Sequence, residues 1–162
     1  MKALIGYPEK CTGCHRCELW CSLRHEGVNN PSKARIHVIR REPRLDVPLV
    51  CQQCGICIKS CPFESISYSG AAGAVVIDKQ KCKNCGKCIS SCPYGMITWA
   101  GEEKKVVKCD LCGGNPECVK HCREKAIDYI DSSEVAAKRR EIYAASQQSP
   151  SIRAGAALNV HR

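Results

Sequence analysis

The chain has 162 residues, of which 16 are cysteine and one is phenylalanine, and its formal net charge is +9. This length suits a single domain, and with so few aromatic side chains we expect no large apolar core. So many cysteines would indicate a disulfide scaffold if the protein were secreted. However, the apolar run Ala3-Leu4-Ile5 is too short for the core of a signal peptide. We therefore expect a reducing, cytoplasmic compartment.

The first forty residues are predicted to hold a strand, a cysteine-rich loop and a second strand. Residues 2–5 form the first strand. Asn29-Asn30-Pro31 marks a turn, and the alternation of apolar and polar residues indicates a strand at 35–40. The same region is the most basic stretch of the chain, with Lys33, Arg35, Arg40, Arg41 and Arg44. We expect it to be either a solvated strand face or a docking surface for an acidic partner.

Two cysteine runs in the middle of the chain share the spacing C-x2-C-x2-C-x3-C-P. The first contains Cys51, Cys54, Cys57 and Cys61, and the second contains Cys82, Cys85, Cys88 and Cys92. In bacterial two-cluster ferredoxins with this spacing, three cysteines of a run bind one [4Fe–4S] cluster and the fourth binds the other cluster. The spacing therefore predicts one cluster, numbered cluster 3 here, on Cys51, Cys54, Cys57 and Cys92. It predicts another, cluster 4, on Cys82, Cys85, Cys88 and Cys61.

Two further cysteine runs flank the central pair. The N-terminal run is Cys11, Cys14, Cys17 and Cys21, and the C-terminal run, with its wider middle gap, is Cys109, Cys112, Cys118 and Cys122. By the same exchange of fourth cysteines, cluster 1 is predicted on Cys11, Cys14, Cys17 and Cys122. Cluster 2 is predicted on Cys109, Cys112, Cys118 and Cys21, so that every cysteine is used. The alternative for the C-terminal run is a four-thiolate structural zinc or an empty loop, which leaves three [4Fe–4S] clusters.

An internal repeat follows three of the four runs. An isoleucine lies five residues after the last cysteine and an aromatic residue lies two positions further on, in the pairs Ile66 and Tyr68, Ile97 and Trp99, and Ile127 and Tyr129. We expect each isoleucine to begin a short strand whose apolar side chains cover a cluster. Partner strands are predicted at 74–77 and 105–108, after turns at 70–73 and 101–102. This pattern is typical of the α+β ferredoxin architecture.

The predicted clusters change the meaning of the positive charge. An oxidised four-iron cluster with four thiolates carries about −2, so four clusters reduce the formal total from +9 to about +1. We therefore predict no nucleic-acid partner. No vacant ligand position remains for His15, His25, His37, His121 or His161, and we expect His15 and His121 at the surface. Trp20 is expected to pack against a cluster cage.

The composition changes after residue 130. Asp131-Ser132-Ser133-Glu134 is a helix start signal, and residues 135–146 are predicted to form a helix, followed by a tail at 147–162 that is free or laid on a partner. The predicted fold is α+β, with two nested bacterial two-cluster ferredoxin-like modules and a C-terminal helix and tail. The double module covers residues 1–130, with an inner module at about 46–100 and an outer module from 1–45 and 101–130, and residues 131–162 form the second unit.

Two longer stretches carry a family resemblance beyond the cysteine spacing. Residues 11–38 read CTGCHRCELWCSLRHEGVNNPSKARIHV, and residues 108–119 read KCDLCGGNPECV. They resemble the four-cluster iron–sulfur subunits of molybdenum and tungsten oxidoreductases. The short length, the compact last run and its Asn-Pro turn are similar to the small subunits of tungsten aldehyde:ferredoxin oxidoreductase-type complexes, including the electron-transfer subunit of class II benzoyl-coenzyme A reductase. The resemblance covers roughly residues 3–130, and Arg123 stands where the family usually has proline, which weakens the assignment of Cys122.

The resemblance implies a function in electron transfer. It implies a large tungsten- or molybdenum-pterin catalytic subunit as partner, and a ferredoxin or a flavin or iron–sulfur subunit as redox partner. No catalytic group can be assigned, so the chain is predicted not to be an enzyme by itself. No run approaches the roughly 18 apolar residues of a membrane helix, and we expect no direct membrane insertion. The alternatives are a free soluble polyferredoxin and, from another class, a zinc-bound structural or nucleic-acid module.

Overall fold

Eight strands and five α-helices are present in the part of the chain that the structure describes. This computed structural model describes residues 2–41, 45–69, 72–101 and 104–148. The strands are β1 (Lys2–Gly6), β2 (His37–Arg41), β3 (Leu45–Leu49), β4 (Ile66–Tyr68), β5 (Val75–Ile77), β6 (Ile97–Ala100), β7 (Lys105–Lys108) and β8 (Ile127–Asp131). The helices are α1 (Arg16–Glu26), α2 (Ile56–Ser60), α3 (Lys87–Ser91), α4 (Glu117–Lys120) and α5 (Ser132–Gln148). Short 3-10 helices lie at Pro8–Lys10, Pro31–Lys33 and Leu111–Gly114.

Two consecutive repeats form the centre of the chain, with α2 followed by the β4–β5 hairpin and α3 followed by the β6–β7 hairpin. Both hairpins are antiparallel, with Ile66 opposite Ile77 and Ile97 opposite Lys108. The predicted strand at 105–108 and the predicted strand starts at Ile66 and Ile97 are confirmed. Strand β5 begins at Val75, one residue later than predicted. The turns predicted at 70–73 and 101–102 include residues outside the described ranges.

The N-terminal strand completes the third repeat. Strand β8 begins at Ile127, as predicted, and its antiparallel partner is β1, with Lys2 opposite Asp131 and Gly6 opposite Ile127. The amide of Tyr7 also donates to the carbonyl of Ala126 at 2.8 Å. Because this pairing joins the segment before the first cysteine run to the segment after the last one, the N-terminal and C-terminal cysteine runs meet, and α1 packs against α4. The predicted α+β ferredoxin-like fold with nested modules and a C-terminal helix is confirmed.

A further antiparallel hairpin, β2–β3, lies beside β1. Val38 lies opposite Pro48 in this hairpin. The strand predicted at 35–40 begins at His37, and β3, which contains Pro48, was not predicted. A Cβ atom on Gly6 would collide with the carbonyl oxygen of Pro48, so glycine at this position allows the hairpin to approach β1 closely.

The apolar core is small and has two parts, which we call the outer core and the inner core. The outer core surrounds Leu4 and Leu111, and the inner core surrounds Val75. Cysteines belong to both parts, Cys17, Cys21 and Cys118 to the outer core and Cys57 and Cys88 to the inner core. Because cysteines interrupt both parts, we expect bound metal to contribute much of the stability of the fold.

Helix α5 begins at Ser132, three residues earlier than predicted. The carboxylate of Asp131 accepts hydrogen bonds from the amide and hydroxyl of Ser133 at 3.0 and 2.9 Å, and it therefore caps the helix. Val135 is buried, whereas Tyr143 is exposed. None of the helices in the described part of the chain combines the length and the hydropathy that a membrane span requires. Residues 149–162, which include most of the predicted tail and His161, lie outside the described residues.

Candidate metal centres

Four cavities are each surrounded by cysteines. Cavity 1 is lined by Cys11, Cys14, Cys17 and Cys122, cavity 2 by Cys21, Cys109, Cys112 and Cys118 together with Cys51, cavity 3 by Cys51, Cys54, Cys57 and Cys92, and cavity 4 by Cys61, Cys82, Cys85 and Cys88. The structure therefore brings together each of the four predicted sets. All the cysteines are free thiols, and four thiols around one compact space are the donor set that suits a four-iron cluster. Their individual ligand roles stay predictions.

Left-handed residues shape the cysteine loops. His15, Gly55 and Gly86 precede α1, α2 and α3 with φ angles of 56°, 76° and 77°. Each turns the chain so that the third cysteine of its run enters the first turn of a helix. Glycine adopts this conformation with the least strain. Both glycines also leave room for an aromatic side chain, since a Cβ atom on Gly55 would lie 2.6 Å from the Tyr68 hydroxyl and one on Gly86 would lie 2.9 Å from the Trp99 ring.

The isoleucines and aromatic residues of the repeat take different positions. Ile66, Ile97 and Ile127 line cavities 4, 3 and 1, in agreement with the expected cover. Tyr68 and Trp99 are 52% and 41% exposed and line none of the four cavities. The expectation that these aromatic rings cover the clusters is therefore wrong. They pack on the outer side of the loop glycines and shield the loop backbone.

The fourth cysteine of a repeat accepts a hydrogen bond from the amide four residues later. Met96 donates to Sγ of Cys92 at 3.3 Å, and Ala126 donates to Sγ of Cys122 at 3.2 Å. Such bonds favour the thiolate form of a cysteine. Because Cys122 has the same arrangement as Cys92, Arg123 at the usual proline position leaves the local geometry around Cys122 intact.

Burial keeps several of the free thiols protonated. Desolvation raises the pKa of Cys17 and Cys109 to about 12 and the pKa of Cys21 and Cys88 to about 11. These thiols are neutral at pH 7 when no metal is bound to them. A metal centre that binds here must therefore displace their protons.

A histidine that was not assigned from the sequence contacts cavity 2. Nε2 of His25 lies 3.5 Å from Sγ of Cys112 and 3.4 Å from a carboxylate oxygen of Asp110. Burial, followed by the charge of Arg35, lowers the pKa of His25. A neutral ring with its proton on Nε2 can donate a hydrogen bond to the Cys112 sulfur. The sequence held one signal for this position, because His25 lies four residues after Cys21 and therefore on the same face of α1.

Arg35 is a buried structural residue rather than part of a solvated or docking face. Its guanidinium lies 3.3 Å from Asp110 and 3.5 Å from Glu26, and its side chain is 9% exposed. Its amide donates to Sγ of Cys21 at 3.3 Å. Both interpretations of the basic stretch are wrong for Arg35, which holds the segment before β2 against cavity 2. Arg40 is exposed and pairs with Asp46, and Arg44 lies outside the described residues.

Trp20 stacks on His121 rather than on a cluster cage. The two ring centroids are 3.6 Å apart, the ring planes differ by 4°, and Trp20 lines none of the four cavities. The stacking partly covers His121, whereas His15 lies at the surface as expected. Glu18 is buried and accepts hydrogen bonds from Nδ1 of His15 at 2.6 Å and from the amide of Val38 at 2.7 Å. Glu18 therefore ties α1 to β2.

The four cavities follow one another in a row. Cys51 lines both cavity 2 and cavity 3. Cys17 of cavity 1 and Cys118 of cavity 2 share the outer core, and Cys57 of cavity 3 and Cys88 of cavity 4 share the inner core. Cavities 1 and 2, 2 and 3, and 3 and 4 are therefore neighbours. Redox centres in these positions can pass an electron from each one to the next.

Comparison with protein families agrees with this donor set. The family model of the 4Fe–4S dicluster domain matches residues 45–132, and a model of a 4Fe–4S binding domain matches residues 8–23. The chain belongs to the 4Fe–4S dicluster family. The region matched by the first model contains both inner runs and the C-terminal run, and the second model covers the N-terminal run.

The chain also has relatives that are subunits of oxidoreductases. The polyferredoxin-like subunit of the aliphatic sulfonate oxidoreductase of Pyrococcus furiosus is 40% identical over 125 residues, which are 76% of this chain and 72% of that protein. Subunit beta of the NADH-dependent phenylglyoxylate dehydrogenase of Aromatoleum evansii is 32% identical over 133 residues, which are 79% of this chain and only 30% of that protein. A chain in the solved active-site complex of benzoyl-coenzyme A reductase with benzoyl-CoA is 22% identical with a TM-score of 0.47, and the match covers 97% of this chain and 98% of that chain.

Proposed function

We propose that this chain is the electron-transfer subunit of an oxidoreductase complex and carries electrons through four [4Fe–4S] clusters. The observation that carries the proposal is the row of four cavities, each lined by at least four cysteine thiols. A bound cluster supplies one-electron redox chemistry. The side chains of this protein hold the clusters, exclude water from them and fix their spacing. We assign them to the double module at residues 1–130, and we assign partner binding to residues 131–162.

The proposed ligands are all 16 cysteines, in the sets Cys11, Cys14, Cys17 and Cys122, then Cys109, Cys112, Cys118 and Cys21, then Cys51, Cys54, Cys57 and Cys92, and then Cys82, Cys85, Cys88 and Cys61. The exchange of fourth cysteines favours a cluster over a structural zinc in the C-terminal run. Cavity 2 is lined by Cys21 of the N-terminal run together with Cys109, Cys112 and Cys118, whereas Cys122 lines cavity 1. A zinc site built from the C-terminal run alone would bring Cys122 to the other three cysteines of that run.

The two ends of the row are the proposed points of electron exchange. Cavities 1 and 4 terminate the row, and each has an exposed loop cysteine, Cys14 in cavity 1 and Cys85 in cavity 4, as cavity 3 has in Cys54. A partner docked at either loop comes close to the terminal cluster there. One end then faces the catalytic subunit, and the other faces the redox partner.

The proposed catalytic partner is a large subunit with a tungsten or molybdenum pterin cofactor. Its support is the resemblance of residues 11–38 and 108–119 to the small subunits of such enzymes, together with the homology to a polyferredoxin-like subunit of a sulfonate oxidoreductase. A ferredoxin or a flavin or iron–sulfur subunit is the proposed redox partner. We place the complex in the cytoplasm, and we assign no catalytic residue and no nucleic-acid partner to this chain.

Anaerobic purification of the tagged chain from its native cells tests the proposal. We expect a brown complex in which this chain co-elutes with a larger subunit that holds tungsten or molybdenum, and in which dithionite bleaches the visible absorption. A brown chain that elutes alone supports the alternative of a free soluble polyferredoxin. A colourless chain that contains zinc and no iron contradicts a function in electron transfer.

A further inference from the structure

Lys108 is a buried cation with no carboxylate partner in the part of the chain that the structure describes. It is the last residue of β7 and is 4% exposed. Its Nζ donates to the carbonyl oxygens of Val75 and Cys109, the latter at 2.6 Å, and lies 3.4 Å from Oε1 of Gln53. All three acceptors are neutral amide oxygens. A buried ammonium needs a nearby negative charge to offset its loss of hydration.

Gln53 fixes the ammonium of Lys108 in this position. Oε1 of Gln53 accepts a hydrogen bond from the amide of Val75 at 2.8 Å, and its Nε2 donates to the carbonyl of Cys109 at 3.2 Å. Gln53 is itself buried. Both ends of the side-chain amide are therefore held by the backbone, and the oxygen atoms around Nζ form a preorganised site.

The negative charge available to Lys108 is that of the proposed metal centres. Lys108 lines cavity 3 together with all four cysteines of that cavity. Through the carbonyl of Cys109 it also contacts the run that lines cavity 2. A four-iron cluster with four thiolates carries about −2 when oxidised and about −3 when reduced. Lys108 therefore lies at the junction of two proposed anionic centres.

We propose that Lys108 is a built-in counter-cation that raises the reduction potential of cluster 3. The inference rests on the proposed function, because it requires a cluster in cavity 3. Reduction adds one electron to the cluster, and a fixed positive charge stabilises the reduced form more because that form has the larger negative charge. A unit charge about 10 Å away, at an effective dielectric constant of about 20, changes a one-electron equilibrium by more than tenfold. Cluster 3 then retains an electron in the interior of the row.

A redox titration of the anaerobically prepared chain, followed by electron paramagnetic resonance, tests this role. Lys108→Met removes the charge and keeps the length of the side chain, and Lys108→Arg keeps the charge. Lys87→Met is the matched control, because Lys87 is an exposed lysine that lines cavity 4. We expect K108M to retain its iron. Its equilibrium constant for reduction of cluster 3 should be about tenfold lower, which is 59 mV for a one-electron couple. K108R and K87M are expected to give smaller shifts.

Cys54→Ser identifies the signal of cluster 3, because it changes a proposed ligand of that cluster alone. The paramagnetic resonance signal that shifts in K108M must be the signal that Cys54→Ser alters. A K108M chain with full iron content and unchanged potentials overturns the inference. If K108M loses iron, Gln53→Glu decides, because it keeps Lys108 and places a carboxylate beside its ammonium. Q53E must lower the same potential, and an unchanged potential at full iron content overturns the inference. A wild-type chain without iron contradicts the proposed function itself.

Discussion

Gly86 allows a direct test of the loop geometry that presents the cysteines. A Gly86→Ala substitution places a methyl group on a residue with a φ angle of +77° and 2.9 Å from the Trp99 ring. Alanine in the left-handed region costs about 1–2 kcal/mol. Carbon atoms in contact are normally about 3.5–4.0 Å apart, so the ring must also move. An off-rotamer ring adds about 0.5–1.5 kcal/mol.

Gly95→Ala is the matched control for this prediction. Gly95 also has a positive φ, +62°, but no atom lies within 4 Å of an added Cβ, so that only the backbone cost remains. In a chain of this size about 1 kcal/mol corresponds to a change in melting temperature of about 2–4 °C. We therefore expect G86A to melt about 2–4 °C below G95A when anaerobic unfolding is followed by the visible absorption of the clusters. A Trp99→Val background should remove the difference. Equal melting temperatures for G86A and G95A in the presence of Trp99 would refute the reasoning.

Three further predictions concern His25, Glu18 and Tyr7. His25→Leu removes a hydrogen-bond donor 3.5 Å from Sγ of Cys112. A redox titration of this variant should show a lower reduction potential for cluster 2. An unchanged potential would contradict the role of His25 as a donor. Glu18→Ala leaves the buried amide of Val38 without its acceptor and should destabilise the fold by about 1–3 kcal/mol. Glu18→Gln keeps an acceptor oxygen and should retain most of the stability. Equal melting temperatures for E18A and E18Q would contradict this role of Glu18. Burial, followed by Asp128, raises the pKa of Tyr7 above its usual value of 10.0. The stability that the neutral Tyr7 side chain contributes is therefore full below pH 10 and is lost as the pH rises through its folded-state pKa. Tyr7→Phe should then make the fall in melting temperature at alkaline pH less steep. Identical slopes of melting temperature against pH for Y7F and the wild type would contradict the assignment.

The cysteines that meet at each cavity and the strands after them could be predicted because their spacing repeats along the chain. The distance from the last cysteine to the isoleucine is the same in three runs, and the strands start at Ile66, Ile97 and Ile127. The pairing of β1 with β8 could not be predicted from local sequence, since it joins two strands that are more than 100 residues apart in the chain. Strand β3 was missed because Pro48 in a strand is tolerated only at an unpaired amide or an edge, which depends on the neighbours of that strand.

The polar residues around the metal centres were the least predictable part of the site. Alternation along β7 places Lys108 on the same buried face as Val106, but the charge of a lysine argues for exposure. Arg35 belongs to a basic stretch that suggested an exposed surface. One of its partners, Asp110, is distant in the chain, and the other, Glu26, lies at the end of helix α1. Such side chains are buried because the tertiary structure supplies their partners, and a local pattern contains no information on those partners.

The central claim, four [4Fe–4S] clusters held by four sets of cysteines, is tested most directly by iron and acid-labile sulfide analysis of the anaerobically reconstituted chain, with Mössbauer spectroscopy. Four cubane clusters predict about sixteen iron and sixteen sulfide per chain, with a single family of [4Fe–4S] signals. About twelve iron with one zinc per chain would contradict a cluster in every cavity and would point to the C-terminal run as the zinc site. Zinc without iron would contradict the account as a whole.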